Sequence, residues 1–172
     1  MTEPNWLARA INSAEMTGIS PKDQWIRTKA FGSASSAYGP CQLTKGLALG
    51  YLRNHPNIFT DVEKKYLERF IEQGKLFLRY GGGDWKKYPN GEGGYTQEEL
   101  RNKFEYGREG ILTSFQDKEL YWGIINKMLY EIWQRNGEDL NKVWREWRFG
   151  TGSSKEDPRY ERQFFKSINS NG

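Results

Sequence analysis

The chain has 172 residues, which is enough for one domain with a hydrophobic core. Hydrophobic residues make up 36% of the chain and charged residues 28%, so the composition excludes an intrinsically disordered protein. The net charge is +4, but basic and acidic residues are interspersed, and no basic block predicts nucleic-acid binding. A mildly basic surface favours encounter with an anionic polymer, although charge alone does not identify that polymer.

The counts of cysteine and histidine restrict the chemistry further. A single cysteine, Cys41, excludes an internal disulfide, and a single histidine, His55, excludes a site built from several histidines. No Asp/Asn-rich calcium loop is visible, so we expect neither a metal nor another cofactor. The N-terminus lacks a basic segment followed by an apolar run, and no stretch approaches the roughly 18 apolar residues that span a bilayer. We therefore expect synthesis in a cytoplasm without a signal peptide, and no membrane insertion.

Hydrophobic periodicity predicts a mainly α-helical protein. The first helix is expected over Pro4–Met16, because proline suits the first helical position and Gly18 suits the stop. An irregular segment follows over residues 18–37. The second helix is then expected to start near Gly39–Pro40 and to run towards Arg53.

Capping signatures and periodicity predict the later helices. Their expected positions are a start at the capping box Thr60–Glu63, a start at the capping box Thr96–Glu99, a long helix capped by Ser114 and ending near Arg135, a helix over Asp139–Trp147, and a last helix opened by Asp157–Pro158. The glycine-rich segment 80–95 allows at most a small β-hairpin, and its role is not assigned.

Glu15 ends the first predicted helix on the edge of its apolar stripe. It follows Leu7 and Ile11 at a spacing of four residues, whereas a fully solvated glutamate would more naturally lie opposite that stripe. A carboxyl group half-buried beside apolar side chains resists ionising and can stay protonated near neutral pH. Cleavage of a glycosidic bond requires a proton donor of this kind. Glu15 is therefore the candidate general acid.

The segment Ala37–Leu43 carries a family resemblance. Its sequence, Ala-Tyr-Gly-Pro-Cys-Gln-Leu, resembles the Ala-x-Gly-Leu-Met-Gln-Ile segment of lytic transglycosylases and goose-type lysozymes. Phage endolysins of this type often carry Ser-x-Ala-Tyr-Gly-Pro, as here. In that family a catalytic glutamate ends a helix, a loop follows, and this turn opens the next helix. Gly39 follows Glu15 at a longer spacing than is usual, with Asp23–Phe31 as the insertion.

A second, shorter resemblance lies near the C-terminus. Val143–Gly150, followed by Tyr160, is similar to the family's Ala-Tyr-Asn-x-Gly segment and its final helix. Trp147 aligns with the family's aromatic residue and Arg148 with its asparagine, and both are departures from the pattern.

The resemblance implies a lysozyme-like fold, α-helical and two-lobed with a substrate groove, as a single domain over residues 1–172. It implies a monomeric enzyme that degrades peptidoglycan by cleaving the MurNAc–GlcNAc β-1,4 bond, with glycan strands and no nucleic acid as its partner. Such an enzyme would be a phage endolysin released by a holin, or a lysin borne by the virion, and would act in the periplasm or cell wall of a bacterial host.

The resemblance also implies roles for single residues. Glu15 would donate a proton to the leaving glycosidic oxygen. Gln42, on the first turn of its helix, would bond to an N-acetyl or hydroxyl group, while Tyr38 would stack on a sugar or bond to it. The full set of candidate substrate-binding residues is Ser36, Tyr38, Gly39, Gln42, Trp147 and Tyr160.

Three mechanistic alternatives remain open. An inverting hydrolase needs a second carboxylate to activate water. Phage lysozymes carry a Glu, Asp, Thr triad that Asp23 and Thr28 resemble, with each interval one residue short. A single acid suffices if the sugar's own N-acetyl group and 6-hydroxyl complete the reaction, which gives a 1,6-anhydro product, and the longer match over Ala37–Leu43 favours this route. The third alternative is a non-catalytic wall-binding virion protein, suggested by the 15% aromatic content and by the departures at Trp147 and Arg148.

Overall fold

The computed structural model describes residues 2–28, 37–80, 97–115 and 117–171. Within these ranges the chain is mainly helical and has isolated β-bridges but no β-strand, which confirms the mainly α prediction. Two of the sequence-based predictions, the hairpin near residues 80–95 and the cap at Thr96, lie outside the described residues, as does Ser36.

Eight α-helices and one short 3-10 helix, Pro56–Ile58, make up the described secondary structure. The α-helices are α1 Trp6–Glu15, α2 Pro21–Gln24, α3 Lys45–Asn54, α4 Asp61–Tyr80, α5 Gln97–Ser114, α6 Lys118–Arg135, α7 Leu140–Phe149 and α8 Pro158–Asn171.

The chain divides into two compact units. One comprises Met1–Ser20 together with Glu119–Gly172 and is called the terminal unit below; the other comprises Pro21–Lys118 and is called the middle unit. The terminal unit combines α1 with α6, α7 and α8, so its core joins the two ends of the sequence. The middle unit contains α2 to α5.

Helix α1 of the terminal unit starts at a side-chain cap. Oδ1 of Asn5 accepts a hydrogen bond from the backbone N–H of Ala8 at 2.8 Å, which is the usual bond of an N-cap residue. The prediction that Pro4 occupies the first helical position is therefore wrong, because the asparagine cap follows it. Leu7 and Ile11 are fully buried, and α1 packs against α8.

The remaining helices of the terminal unit begin close to the predicted positions. Asp139 caps α7, where its carboxyl group accepts from the backbone N–H of Asn141 at 3.0 Å. Asp157 precedes α8 and accepts from the backbone N–H of Tyr160 at 3.1 Å. Both predicted starts are confirmed, because an acidic side chain satisfies N–H groups that the first helical turn leaves unpaired.

The junction between α5 and α6 differs from the prediction that Ser114 caps the long helix. Ser114 is the last residue of α5, and α6 begins at Lys118. Between them Phe115 is buried, and its backbone carbonyl accepts a hydrogen bond from the hydroxyl of Tyr66 at 3.1 Å. The start of α6 is thus displaced because the chain is anchored at Phe115 by a distant side chain.

The middle unit contains the turn that carries the family resemblance. Tyr38 and Leu43 exchange two backbone hydrogen bonds, each of 2.9 Å, and α3 begins only after Thr44. Gly39 has φ +80° and Gln42 has φ +55°, values that a right-handed helix does not contain. The predicted helix start at Gly39–Pro40, and the placement of Gln42 on a first helical turn, are therefore wrong.

Helix α4 opens with the capping box that the sequence predicts. Oε1 of Glu63 accepts from the backbone N–H of Thr60 at 2.8 Å, and the hydroxyl of Thr60 accepts from the N–H of Glu63 at 3.2 Å. One turn later, the rings of Tyr66 and Phe70 both meet the edge or face of Phe115, with centroids 5.1 and 5.2 Å away. This aromatic cluster forms part of the buried core of the middle unit.

Candidate active site

Glu15 is the last residue of α1 and is half-buried. The preceding members of its stripe, Leu7 and Ile11, have no exposed surface, and Met16 after it is also buried. The carboxyl group therefore lies where the apolar face of α1 meets the surface, at the position that the spacing of four residues predicts.

The structure brings Glu15 together with Tyr160. The hydroxyl of Tyr160 donates a hydrogen bond to Oε2 of Glu15 at 2.7 Å, although the residues are 145 positions apart in the sequence. Only 4% of the surface of Tyr160 is exposed, whereas Glu15 is half-buried, so this bond is partly buried at the edge of the core. Two candidate site residues from opposite ends of the sequence thus form one contact.

Two neighbours contact the ring of Tyr160, and a third bonds to its backbone. The ring lies 5.9 Å from the ring of Trp144, and the guanidinium of Arg148 lies 5.5 Å from its centroid. Oδ1 of Asp157 accepts from the backbone N–H of Tyr160, while Oδ2 lies 3.5 Å from Nε of Arg148. Because the cap of α8 and the side chain of Arg148 share Asp157, the start of α8 and the end of α7 jointly position the hydroxyl that reaches Glu15.

A pocket of about 380 Å³ in the terminal unit opens beside this contact. The residues that line it are Ala14, Glu15, Thr17, Arg148, Asp157, Arg159 and Tyr160. Two carboxyl groups and two guanidinium groups face the same space, so the pocket can receive both hydrogen-bond donors and acceptors of a polar ligand.

The pocket at Glu15 is lined by three residues that the sequence did not predict as site residues: Arg148, Asp157 and Arg159. In the sequence, Arg148 stands out only as a departure from the family pattern, and Asp157 only as part of a helix start. Asp157 could have been found from its position three residues before Tyr160, because a helix-capping residue at that spacing lies next to a candidate ligand-binding residue. No local pattern distinguishes Arg159 from other exposed arginines.

Trp147, predicted as a sugar platform, lies half-buried on α7. It is not among the described residues that line the pocket at Glu15. Its neighbour Arg148 takes that position instead.

Tyr38, predicted to contact a sugar, has no exposed surface. Its hydroxyl donates to the backbone carbonyl of Trp25 at 2.9 Å, and its ring lies 6.5 Å from the ring of Phe70. Burial raises the pKa of Tyr38 to about 12. These features give Tyr38 a role in holding the turn rather than a surface for stacking.

Gly39 and Gln42 lie on that turn. The backbone N–H of Gly39 donates to the carbonyl of Arg27 at 3.0 Å, and Nε2 of Gln42 donates to the carbonyl of Gly39 at 3.0 Å. A glycine is suited to this position because its φ of +80° is costly for residues with a Cβ atom. Gln42 is half-buried, so part of its side chain remains accessible.

The two alternative catalytic residues, Asp23 and Thr28, also belong to the middle unit. Asp23 is exposed on the short helix α2. The hydroxyl of Thr28 accepts a hydrogen bond from Nε of Arg108 at 2.9 Å. The third middle-unit candidate, Ser36, is outside the described residues.

The described part of the chain also offers no metal cluster and no membrane-spanning helix. Within residues 2–28, 37–80, 97–115 and 117–171, no group of three or more histidine, cysteine, aspartate or glutamate side chains is arranged to hold a metal ion. In the same ranges, no helix has the length and apolar character needed to cross a membrane.

No protein-family model, curated protein or solved structure matches this chain. The resemblance to lytic transglycosylases and goose-type lysozymes therefore rests on the residues quoted above, and the geometry around Glu15 is the independent observation to set beside it.

Proposed function

We propose that this protein is a peptidoglycan glycosidase in which Glu15 is the general acid and base. The observation that supports this proposal is the contact between Glu15 and Tyr160 at the wall of an open pocket. A half-buried carboxyl group at a pocket, oriented by a buried hydroxyl, is a suitable arrangement for proton transfer to a bound substrate.

The proposed reaction cleaves the MurNAc–GlcNAc β-1,4 bond. Protonated Glu15 gives its proton to the leaving glycosidic oxygen, and the bond between that oxygen and the anomeric carbon breaks. The 6-hydroxyl oxygen of the same MurNAc attacks the anomeric carbon, and the carboxylate of Glu15 takes the hydroxyl proton. Glu15 is thereby restored, and the product carries a 1,6-anhydro ring. Glu15 acts first as the acid and then as the base, so the protein needs no second catalytic carboxyl group.

Tyr160 acts as a positioning residue in this scheme. Its hydroxyl holds Oε2 of Glu15, so the carboxyl group keeps one orientation while the substrate binds. Because such proton transfers require donor and acceptor within hydrogen-bond distance, a fixed carboxyl group lowers the cost of reaching the reactive geometry. Arg148 and Asp157 support the ring and the backbone of Tyr160.

Two guanidinium groups of the pocket could bind carboxylates of the substrate. Arg148 and Arg159 line it together with Glu15 and Asp157. The peptide stems of peptidoglycan carry carboxylates, which guanidinium groups bind well. Under this proposal the partner is the glycan strand, and the enzyme acts on the bacterial wall as a phage endolysin or as a lysin borne by the virion.

The decisive experiment is mass spectrometry of the products released from purified peptidoglycan. Products with 1,6-anhydro ends support the transglycosylase, whereas products with reducing ends indicate a hydrolase and direct attention to Asp23 and Thr28. If the protein pellets with the wall but releases no soluble fragments, the proposed activity is absent and a wall-binding protein is the better description.

The matched variants are Glu15→Gln and Glu161→Gln. Both replace a carboxyl group of the terminal unit with an amide of the same size, but Glu161 lies on α8 outside the lining of the Glu15 pocket. We expect only Glu15→Gln to abolish product release, with both variants melting like the parent protein. Full activity of Glu15→Gln would contradict the proposal.

A further inference from the structure

The two guanidinium groups of the Glu15 pocket differ in what they already bind. Nε of Arg148 lies 3.5 Å from Oδ2 of Asp157, so its charge is compensated by a carboxylate of the same lining. Its guanidinium also lies 5.7 Å from the ring centroid of Phe149 and 5.5 Å from that of Tyr160. Arg148 is therefore occupied by the groups that position the start of α8.

Arg159 lines the same pocket but is in a different situation. Its side chain is exposed, and it makes no hydrogen bond or ion pair with any residue that the structure describes. Of the two cations in the lining, Arg159 is thus the one whose hydrogen-bond donors are available to a ligand.

The position of Arg159 on α8 does not favour a cation. Arg159 is the second residue of this helix, and the helix dipole stabilises anions rather than cations at this end. The cap Asp157 and the first-turn residue Glu161 follow that preference. Because the guanidinium opposes the dipole, Arg159 is better explained by what it binds than by the stability of α8.

The neighbour of Arg159 in the sequence places the guanidinium close to the proposed reaction. Tyr160 is buried, and its hydroxyl donates to Oε2 of Glu15 at 2.7 Å. Arg159 directly precedes this anchored residue and lines the space in which a substrate of Glu15 must lie. Its exposed side chain can therefore bind a substituent of the sugar while Glu15 reaches the glycosidic bond.

We propose that Arg159 selects substrates that carry a carboxylate close to the scissile bond. The inference rests on the proposed glycosidase function, because it assigns the substrate class of the same pocket. A guanidinium binds a carboxylate through two parallel hydrogen bonds, which contribute both affinity and orientation. In peptidoglycan this carboxylate belongs either to the peptide stem or, where the stem is missing, to the lactyl group of MurNAc.

The test measures binding in the Glu15→Gln background, in which the proposed reaction cannot consume the ligand. Isothermal titration calorimetry compares Arg159→Gln with Arg162→Gln, an exposed arginine on α8 that is not among the described residues lining this pocket. With a soluble peptide-bearing muropeptide, we expect Arg159→Gln to raise Kd about tenfold, because a hydrogen bond between charged groups is lost. Arg162→Gln is expected to leave Kd unchanged.

Two further ligands identify the carboxylate. A glycan strand stripped of its peptides keeps only lactyl carboxylates, so a loss of affinity for this ligand assigns the lactyl group. A loss restricted to the peptide-bearing ligand assigns the stem. A chitin oligosaccharide has no carboxylate, and we expect Arg159→Gln not to change its affinity. An equal loss of affinity for chitin, equal losses in Arg159→Gln and Arg162→Gln, or no measurable binding of either carboxylate ligand would overturn the proposal.

Arg159→Lys distinguishes a specific contact from a general effect of substitution. It keeps the charge but not the paired donors, and we expect it to recover part of the lost affinity, with every variant melting like the parent protein. The product assay then separates this inference from the proposed function. Wall cleavage together with unchanged affinity in Arg159→Gln contradicts only the role of Arg159. Weakened binding in Arg159→Gln without any wall cleavage by the parent protein contradicts only the glycosidase.

Discussion

The terminal and middle units use the same side-chain type in different ways. In the terminal unit the hydroxyl of Tyr160 donates to a carboxyl group at a pocket. In the middle unit the hydroxyls of Tyr38 and Tyr66 donate to backbone carbonyls within the core. A phenol bonded to a carbonyl stabilises the local fold, whereas a phenol bonded to a half-buried carboxyl group can affect its chemistry. The difference distinguishes the candidate site at Glu15 from the turn at Tyr38, and the family resemblance assigned residues of both to substrate contact.

The largest test of this contrast compares Glu15→Gln with Tyr38→Phe. Glu15→Gln is expected to lower kcat for peptidoglycan about 100-fold or more, since general acid catalysis typically contributes roughly 10² to 10⁴. Tyr38→Phe is expected to keep full activity at temperatures well below its Tm, because its hydroxyl bonds to a backbone carbonyl. Turnover assays on purified walls measure both. Equal losses of kcat in the two variants would contradict the different roles assigned to Glu15 and Tyr38.

Tyr160→Phe sharpens the comparison at the site itself. Removing the hydroxyl frees the carboxyl group of Glu15 from one fixed orientation, and we expect a loss of about tenfold in kcat, which corresponds to one hydrogen bond of about 1.4 kcal/mol. KM is expected to stay within about twofold, because the ring keeps its contacts with Trp144 and Arg148. A change in KM with constant kcat would instead assign Tyr160 to substrate binding.

The corresponding change in the middle unit is Tyr66→Phe. Its hydroxyl is buried and donates to the carbonyl of Phe115, so its loss leaves that acceptor without its partner. We expect the free energy of unfolding to fall by about 1 kcal/mol, with kcat unchanged. Urea denaturation measures the first quantity and the wall assay the second. An unchanged midpoint of unfolding would contradict the structural role.

The smallest expected effect is a dependence of stability on alkaline pH. Burial raises the pKa of Tyr38 to about 12 from its ordinary value of 10.0, so the folded state binds the phenol proton more tightly than the unfolded state. The stability that follows is fully present below pH 10 and is lost as the pH rises through about 12. Tyr66, whose pKa burial also raises, contributes in the same direction.

Urea unfolding at several pH values between 9 and about 12 follows this loss. Tyr38→Phe is expected to flatten the decline in part, because Tyr66 still titrates in that variant. A decline of the same slope in Tyr38→Phe and in the parent protein would show that Tyr38 makes no contribution.

The helix starts that the sequence predicted correctly depend on contacts within one helical turn. The capping box of Thr60 and Glu63, and the caps at Asp139 and Asp157, each join residues no more than three positions apart. Because both partners lie in the same short segment, their types and spacing are sufficient to predict the bond.

The failures have a different cause. The local sequence at Gly39–Pro40 predicts a helix start. Two backbone hydrogen bonds between Tyr38 and Leu43, and one from Gly39 to Arg27, stabilise a turn there instead. Ser114 likewise reads as a cap until the bond between Tyr66 and Phe115 anchors the chain beyond it. In both places a partner outside the local pattern overrides the local preference.

Glu15 shows the same division within the candidate site. Helical periodicity alone predicts that a glutamate ends α1 on the edge of the apolar stripe, because it relates Glu15 to Leu7 and Ile11. The contact with Tyr160 and the position of Arg148 in the same pocket follow from the packing of the helices. The contact between Glu15 and Tyr160 requires α1 to pack against α8, although the two helices lie at opposite ends of the sequence. Periodicity within one helix does not predict which other helix packs against it.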